Sequence, residues 1–148
     1  MKELVFALEF KGRAEAVPGA ENRLHARTSA PGQTFTAVLK RDGVQVSIEP
    51  AGGDTATFES DVTMIGDGMF VETGKIRYGA AGAIAFKTVL RGIIGPSPQP
   101  GTQRGSVMWE VTSGEGKFQG AQGLITSNFT VGANGEVTDD QFVRLYLP

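Results

Sequence analysis

Apolar and polar positions alternate with a period of two over most of this chain. Leu4, Phe6, Leu8 and Phe10 fall on one parity, and Val5, Ala7, Glu9 and Lys11 on the other. Successive side chains of an extended strand point to opposite faces, so this segment predicts a strand with one strongly apolar face. Residues 34–39, 44–48 and 55–65 repeat the rhythm, the last with Phe58, Val62 and Met64 opposite Glu59 and Asp61. Residues 69–73 and 75–78 continue it, with Gly74 read as a bulge between them. In residues 83–92, Ile84, Phe86, Thr88 and Leu90 share a face. Residues 105–112, 124–131 and 137–147 complete the series, and a short strand is predicted over residues 23–28. No stripe of helical period runs for a useful length.

Turn chemistry separates these segments. Asp42-Gly43, Gly66-Asp67-Gly68 and Asn134-Gly135 are reversal signals because their residues tolerate positive φ, and residues 50–54 predict a further turn. Pro96, Pro98 and Pro100 lack amide donors, which predicts a loop over residues 93–101. Residues 12–33 are the least regular, with Pro18-Gly19 and Pro31-Gly32, and predict a lid over a barrel mouth. Short strands joined by glycine-rich turns make an all-β protein. Consecutive hairpins favour a single antiparallel eight-stranded β-barrel of 8–10 strands, which leaves no sheet edge unpaired; a β-sandwich is the alternative. At 148 residues the chain reads as one domain, 1–148.

The more apolar face of each strand is expected inside. That set includes Phe6, Phe10, Phe58, Phe86, Trp109 and Phe129, taken as the ligand-binding candidates, together with Phe35, Val46 and Leu90. Such a lumen is either filled or holds a slot for a small hydrophobic molecule. Val5, Ala7, Met108, Leu124, Phe142 and Tyr146 fall on the outer parity. Apolar groups clustered on neighbouring outer strands predict a homo-oligomer, a dimer or trimer.

Charge and composition narrow the partners. The net charge is -2 and no basic field is present, which argues against nucleic acid. There is no cysteine and one histidine, so no metal site is expected. Glu9 and Lys11 break the first apolar run, which reads as a strand of a mature cytoplasmic protein rather than a signal peptide. No run approaches the ~20 apolar residues of a membrane helix, so no membrane partner is expected.

The stretch Gly114-Glu115-Gly116-Lys117-Phe118-Gln119-Gly120-Ala121-Gln122-Gly123, followed by an apolar strand, resembles the glycine-rich corner of the allene oxide cyclase and dirigent branch of calycin-type β-barrels. It covers about a fifth of the chain. The resemblance implies a barrel, a dimer or trimer, and a cofactor-independent isomerase or cyclase acting on a largely apolar molecule. It further implies a buried polar group that steers ring closure, for which Ser127 and Asn128 are the positions to examine. No residue here matches that family's catalytic carboxylate; Glu9 and Glu59 are nearest by strand position, and both are expected to point outward.

Four residues are catalytic candidates: His25, Ser127, Asn128 and Arg91. His25, between Arg23 and Arg27, is either a proton carrier at the barrel mouth or a solvated loop histidine. Ser127 shares the apolar face of Phe129, as Thr88 shares that of Phe86, and each needs a ligand, water or backbone partner. Asn128 lies on the alternate face and joins the lumen only through a bulge. Arg91 and Arg104 flank the proline segment and either clamp a carboxylate or stand in solvent. The indole N–H of Trp109 also needs a partner, whether the ring is core or ligand platform. Gly116-Lys117 lacks the order of a phosphate loop, and no serine sits in a nucleophile elbow. A carrier of an apolar ligand and a filled scaffold remain the alternatives to an enzyme.

Overall fold

In a computed structural model the described residues are 1–50 and 53–148, without the side chains of residues 33–37 and 46–50. In chain order the strands are β1 (Lys2–Ala16), β2 (Arg23–Ala30), β3 (Gln33–Lys40), β4 (Gly43–Pro50), β5 (Ala56–Gly66), β6 (Met69–Tyr78), β7 (Gly82–Thr88), β8 (Gly92–Pro96), β9 (Gln103–Gly116), β10 (Gln122–Val131) and β11 (Glu136–Leu147). The main sheet runs β10-β11-β1-β2-β5-β6-β7-β9, and β9 pairs back to β10. All of these pairings are antiparallel. The result is a closed antiparallel eight-strand β-barrel, as the alternation predicts. Closure explains how so many short strands coexist without an open edge in the main sheet.

β7 and β8 are two pieces of one barrel strand, because both lie between β6 and β9. Lys87 pairs with Thr73, and Gly92 pairs with Phe70. The chain therefore spends two more residues than β6 over this interval, and the excess is thrown outward. Leu90 takes φ 63° and is 89% exposed. This corrects its expected place on the inner face: alternation ends at Thr88, where the strand breaks. It also corrects the loop expected from residue 93, since Ile93 to Pro96 pair with β9. Pro96 is tolerated because it ends the strand, beyond the two residues that pair with β6.

The lid expected over residues 12–33 is absent. Residues 12–16 extend β1, residues 23–30 are barrel strand, and a tight turn joins them through Val17 N–H to Arg23 C=O at 3.0 Å. Proline and glycine mark the turn alone. Gly74 is not a bulge either. Pairing runs unbroken through Ser60↔Gly74, and the β5–β6 irregularity lies between Met64 and Gly66. A Cβ on Gly74 would stand 2.6 Å from the Phe86 ring and 2.4 Å from the Glu59 carbonyl oxygen. Its role is to admit the Phe86 ring.

β3 and β4 pair only with each other, as a two-stranded sheet apart from the barrel. Their hairpin follows the turn signal at Asp42-Gly43, but the expectations for Phe35 and Val46 and for the turn at residues 50–54 fall wholly or partly outside the described residues.

Parity otherwise holds around the barrel, apart from a bulge in β9 between Val111 and Ser113. Phe10, Phe58, Phe86 and Trp109 are buried and form one aromatic stack. Phe58 contacts Phe10, Phe86 and Trp109 with ring centroids 6.1, 5.3 and 5.5 Å apart, and Phe86 lies 4.6 Å from Trp109. Toward one end, Tyr78 meets Phe6 and Phe118, each at 5.3 Å. Phe118 belongs to the glycine-rich corner, where Ala121 N–H bonds to Phe118 C=O at 2.9 Å. A Cβ on Gly114 would stand 1.8 Å from that same carbonyl oxygen, so only glycine lets the corner fold under the barrel. On the outer wall, β9, β10, β11 and β1 are neighbours, and Val5, Leu124 and Phe142 are each 47% exposed there. No described helix is long and apolar enough to cross a membrane.

Candidate functional site

The aromatic stack fills only part of the barrel. Beyond it, toward the turns that join β1 to β2, β5 to β6 and β10 to β11, the inward residues become smaller. Ala14, Leu24, Ala26, Val62, Met64, Phe70, Ile94, Val131 and Val137 wall a cavity there, with Phe58, Trp109 and Phe129 among its lining. It offers about 90 Å³ to the centres of water-sized molecules, inside about 600 Å³ of atom-free space that includes its mouth. One ordered water needs roughly 10–15 Å³ on the first measure, so several waters or a small organic molecule fit.

Two carboxylates enter this apolar space. Glu72 reaches it from β6 and Asp139 from β11. Both follow from parity: Phe70, Glu72, Gly74 and Ile76 share a face, as do Asp139, Gln141, Val143 and Leu145. Glu72 is 7% exposed and Asp139 is 5% exposed. The Trp109 indole N–H donates to Glu72 Oε1 at 2.9 Å, and Ser60 Oγ donates to Oε2 at 2.8 Å. Ser127 Oγ donates to Asp139 Oδ1 at 2.6 Å, and Gln141 Nε2 donates to Oδ2 at 2.8 Å. Every carboxylate oxygen thus receives one donor.

The strand break holds Glu72 in place. Its backbone N–H donates to Thr88 Oγ1 at 2.8 Å, and Thr88 Oγ1 donates to its C=O at 3.0 Å. A side chain at the end of β7 completes the backbone bonding of β6 where the chain bulges away. Two further polar atoms nearby have no hydrogen-bond partner among the described residues: Thr28 Oγ1, which lines the cavity, and the Gln141 amide oxygen.

Electrostatics follow from this dry setting. Burial pushes the Glu72 carboxyl up to about 7, with the Asp139 charge adding to it and the Ser60 and Trp109 donors opposing it. Burial likewise raises Asp139 to about 6, against the donors Ser127 and Gln141. Removing a charge from water costs more than two neutral donors return. Glu72 is therefore poised to gain or lose a proton near neutrality.

The residues singled out from sequence divide sharply. Ser127 is in the lumen, bonded to Asp139 rather than to backbone; Thr88 does take backbone partners. Phe58, Trp109 and Phe129 line the cavity, whereas Phe10 and Phe86 lie in the stack beneath it and Phe6 packs on Tyr78. His25 is on the outer wall, because its parity is opposite to Leu24 and Ala26. Its Nδ1 lies 3.0 Å from Asp61 and its Nε2 2.9 Å from Glu59. The Asp61 bond leads in holding its pKa above the ordinary value, and this cluster is a surface ion network. Asn128 is exposed and lines a shallow outer groove with Arg104, Gly105 and Ile93. Arg91 is exposed beside Leu90. Glu9 and Glu59 point away from the lumen as expected, so neither supplies its carboxylate. Among the described residues no group of three or more acidic, histidine or cysteine side chains is placed to hold a metal ion.

Comparison with protein-family models, with curated proteins and with solved structures finds no match to this chain.

The raised Glu72 carboxyl carries a sign that can be checked. A folded-state pKa above the unfolded value of 4.5 means that the native protein holds the extra proton between the two. Ionising Glu72 in place therefore costs stability, at about 1.4 kcal/mol for each tenfold rise in its proton affinity on folding. Wild type is expected to lose stability relative to Glu72→Gln as pH rises from 4.5 to 7, and to change little against it above that window. Urea midpoints of the two proteins across that range measure this, and groups common to both, such as His25 and Glu59, cancel. A difference that stays constant with pH contradicts it.

Proposed function

We propose that this protein is a cofactor-independent isomerase or cyclase for a small, largely apolar molecule held in the barrel lumen, with Glu72 as its proton-transfer group. One observation carries the reading: a buried carboxyl with a pKa near 7 faces an apolar cavity and is fixed by Trp109, Ser60 and the Thr88 bonds to its backbone. The sequence resemblance to the allene oxide cyclase and dirigent barrels supports the same reaction class, and Glu72 stands where the sequence alone offered no carboxylate. An apolar wall confines a flexible substrate in a reactive conformation, which alone lowers a barrier by several kcal/mol. A single carboxyl near its pKa then gives or takes one proton, worth roughly 10²–10⁴-fold in rate. Asp139, with Ser127 and Gln141, places a second acceptor beside the substrate. Self-association through the outer face of β9, β10, β11 and β1 belongs to this reading, supported by exposed Val5, Leu124, Phe142 and Tyr146. Light scattering that finds a monomer at micromolar concentration removes that part.

Trp109 is the only tryptophan, so its fluorescence reports on the lumen directly. Apolar polyenes and allylic epoxides are to be screened by Trp109 fluorescence, and those that bind tested for conversion by chiral chromatography. Wild type is expected to give one stereoisomer in excess. For these uncharged molecules Glu72→Gln is expected to keep binding within about threefold while its turnover falls by ~10²-fold or more. Binding without conversion in wild type supports a carrier instead. Unchanged turnover in Glu72→Gln removes Glu72 from the chemistry.

A further inference from the structure

The lumen's polar chemistry is one-sided. Glu72 and Asp139 line the cavity, and when ionised their four carboxylate oxygens are acceptors only. The donors nearest them are already committed: the Trp109 indole, Ser60 and Ser127 hydroxyls and the Gln141 amide nitrogen each bond to a carboxylate oxygen. Among the described residues two more buried atoms near them have no partner. The Gln141 amide oxygen can only accept, and the residue is 1% exposed. Thr28, 7% exposed, presents an unpaired hydroxyl on the cavity wall. Among the described residues no Lys, Arg or His lines the cavity to balance the two acids.

We infer that the lumen's ligand is an apolar molecule carrying one protonated amine or iminium group, seated between Glu72 and Asp139. This rests on the lumen being the ligand site, as proposed above, and specifies the class of molecule it takes. An ammonium head brings several N–H donors and one positive charge, which are what the site lacks. Its bonds to carboxylates are charge-assisted and so stronger than those of a neutral alcohol. Trp109, Phe58, Phe70 and Phe129 line the cavity, and an aromatic ring attracts such a cation over its face. A carboxylate head sets a like charge against two acids, and the Thr28 hydroxyl is the one unpaired donor that the described residues offer it on the wall. The apolar walls of Leu24, Val62, Met64 and Ile94 then hold the hydrocarbon part.

Three probes of one shape test this on the wild-type protein at pH 8: cyclohexylmethylammonium, cyclohexylmethanol and cyclohexanecarboxylate. Each is titrated while Trp109 fluorescence is read. The ammonium is expected to bind at least ~10-fold more tightly than the alcohol, and the carboxylate to bind more weakly than both. Asp139→Asn and Glu72→Gln are each expected to shrink the preference for ammonium over alcohol. If a variant fails to fold, the wild-type comparison decides alone. Equal or tighter binding of the alcohol or the carboxylate overturns the cationic class and leaves the lumen as a ligand site. No response to any of the three overturns both readings together.

Discussion

The hydrogen bond from the Trp109 indole to Glu72 is the interaction on which the barrel's interior depends. It joins β9 to β6 across the lumen and sits where the aromatic packing stops and the cavity starts. Burying an ionised carboxylate without donors costs far more than a fold of this size can bear. With Trp109 and Ser60 donating, Glu72 is tolerated, and its remaining desolvation shows as a raised pKa. Trp109 itself is 1% exposed and would otherwise bury an unpaired N–H. Each group makes the other's burial possible, and Thr88 secures the backbone on which Glu72 stands.

The same arrangement divides the barrel into a filled part and an open part. Toward the glycine-rich corner, Phe6, Tyr78 and Phe118 pack ring to ring. In the middle, Phe10, Phe58 and Phe86 join Trp109 as a solid floor. Beyond them the lining shrinks to residues such as Ala14, Ala26 and Val137, and space opens. A floor of interlocked rings is stiff, so the acids above it are held with little freedom to relax toward solvent. Rigidity of this kind preserves a perturbed carboxyl, because reorganisation would otherwise restore its ordinary acidity.

Strand parity in the sequence is enough to predict the barrel, the buried aromatic rings and the inward Ser127. Parity also holds the signal for both acids: counting by twos from Ile76 reaches Glu72, and from Leu145 reaches Asp139. The intrinsic pKa of His25 competes with that signal and points to the wrong face, since Leu24 and Ala26 claim the inner side of its strand. Other features depend on pairing between distant segments and have no local signature. The two extra residues at Leu90 and Arg91 are defined only against β6 and β9. The separation of the β3–β4 hairpin from the barrel likewise depends on which strands β2 and β5 choose. Gly74 shows the same limit, since its meaning lies in a ring that arrives from β7.

All of the chemistry assigned to the lumen requires that Glu72 be shielded from bulk water while held by Trp109. Carbon-detected NMR of the Glu72 side-chain carboxyl, assigned by its loss in Glu72→Gln and followed through a pH titration, measures this most directly. A midpoint near 7 is expected. A midpoint at the ordinary glutamate value of 4.5 would show a hydrated carboxylate and contradict it.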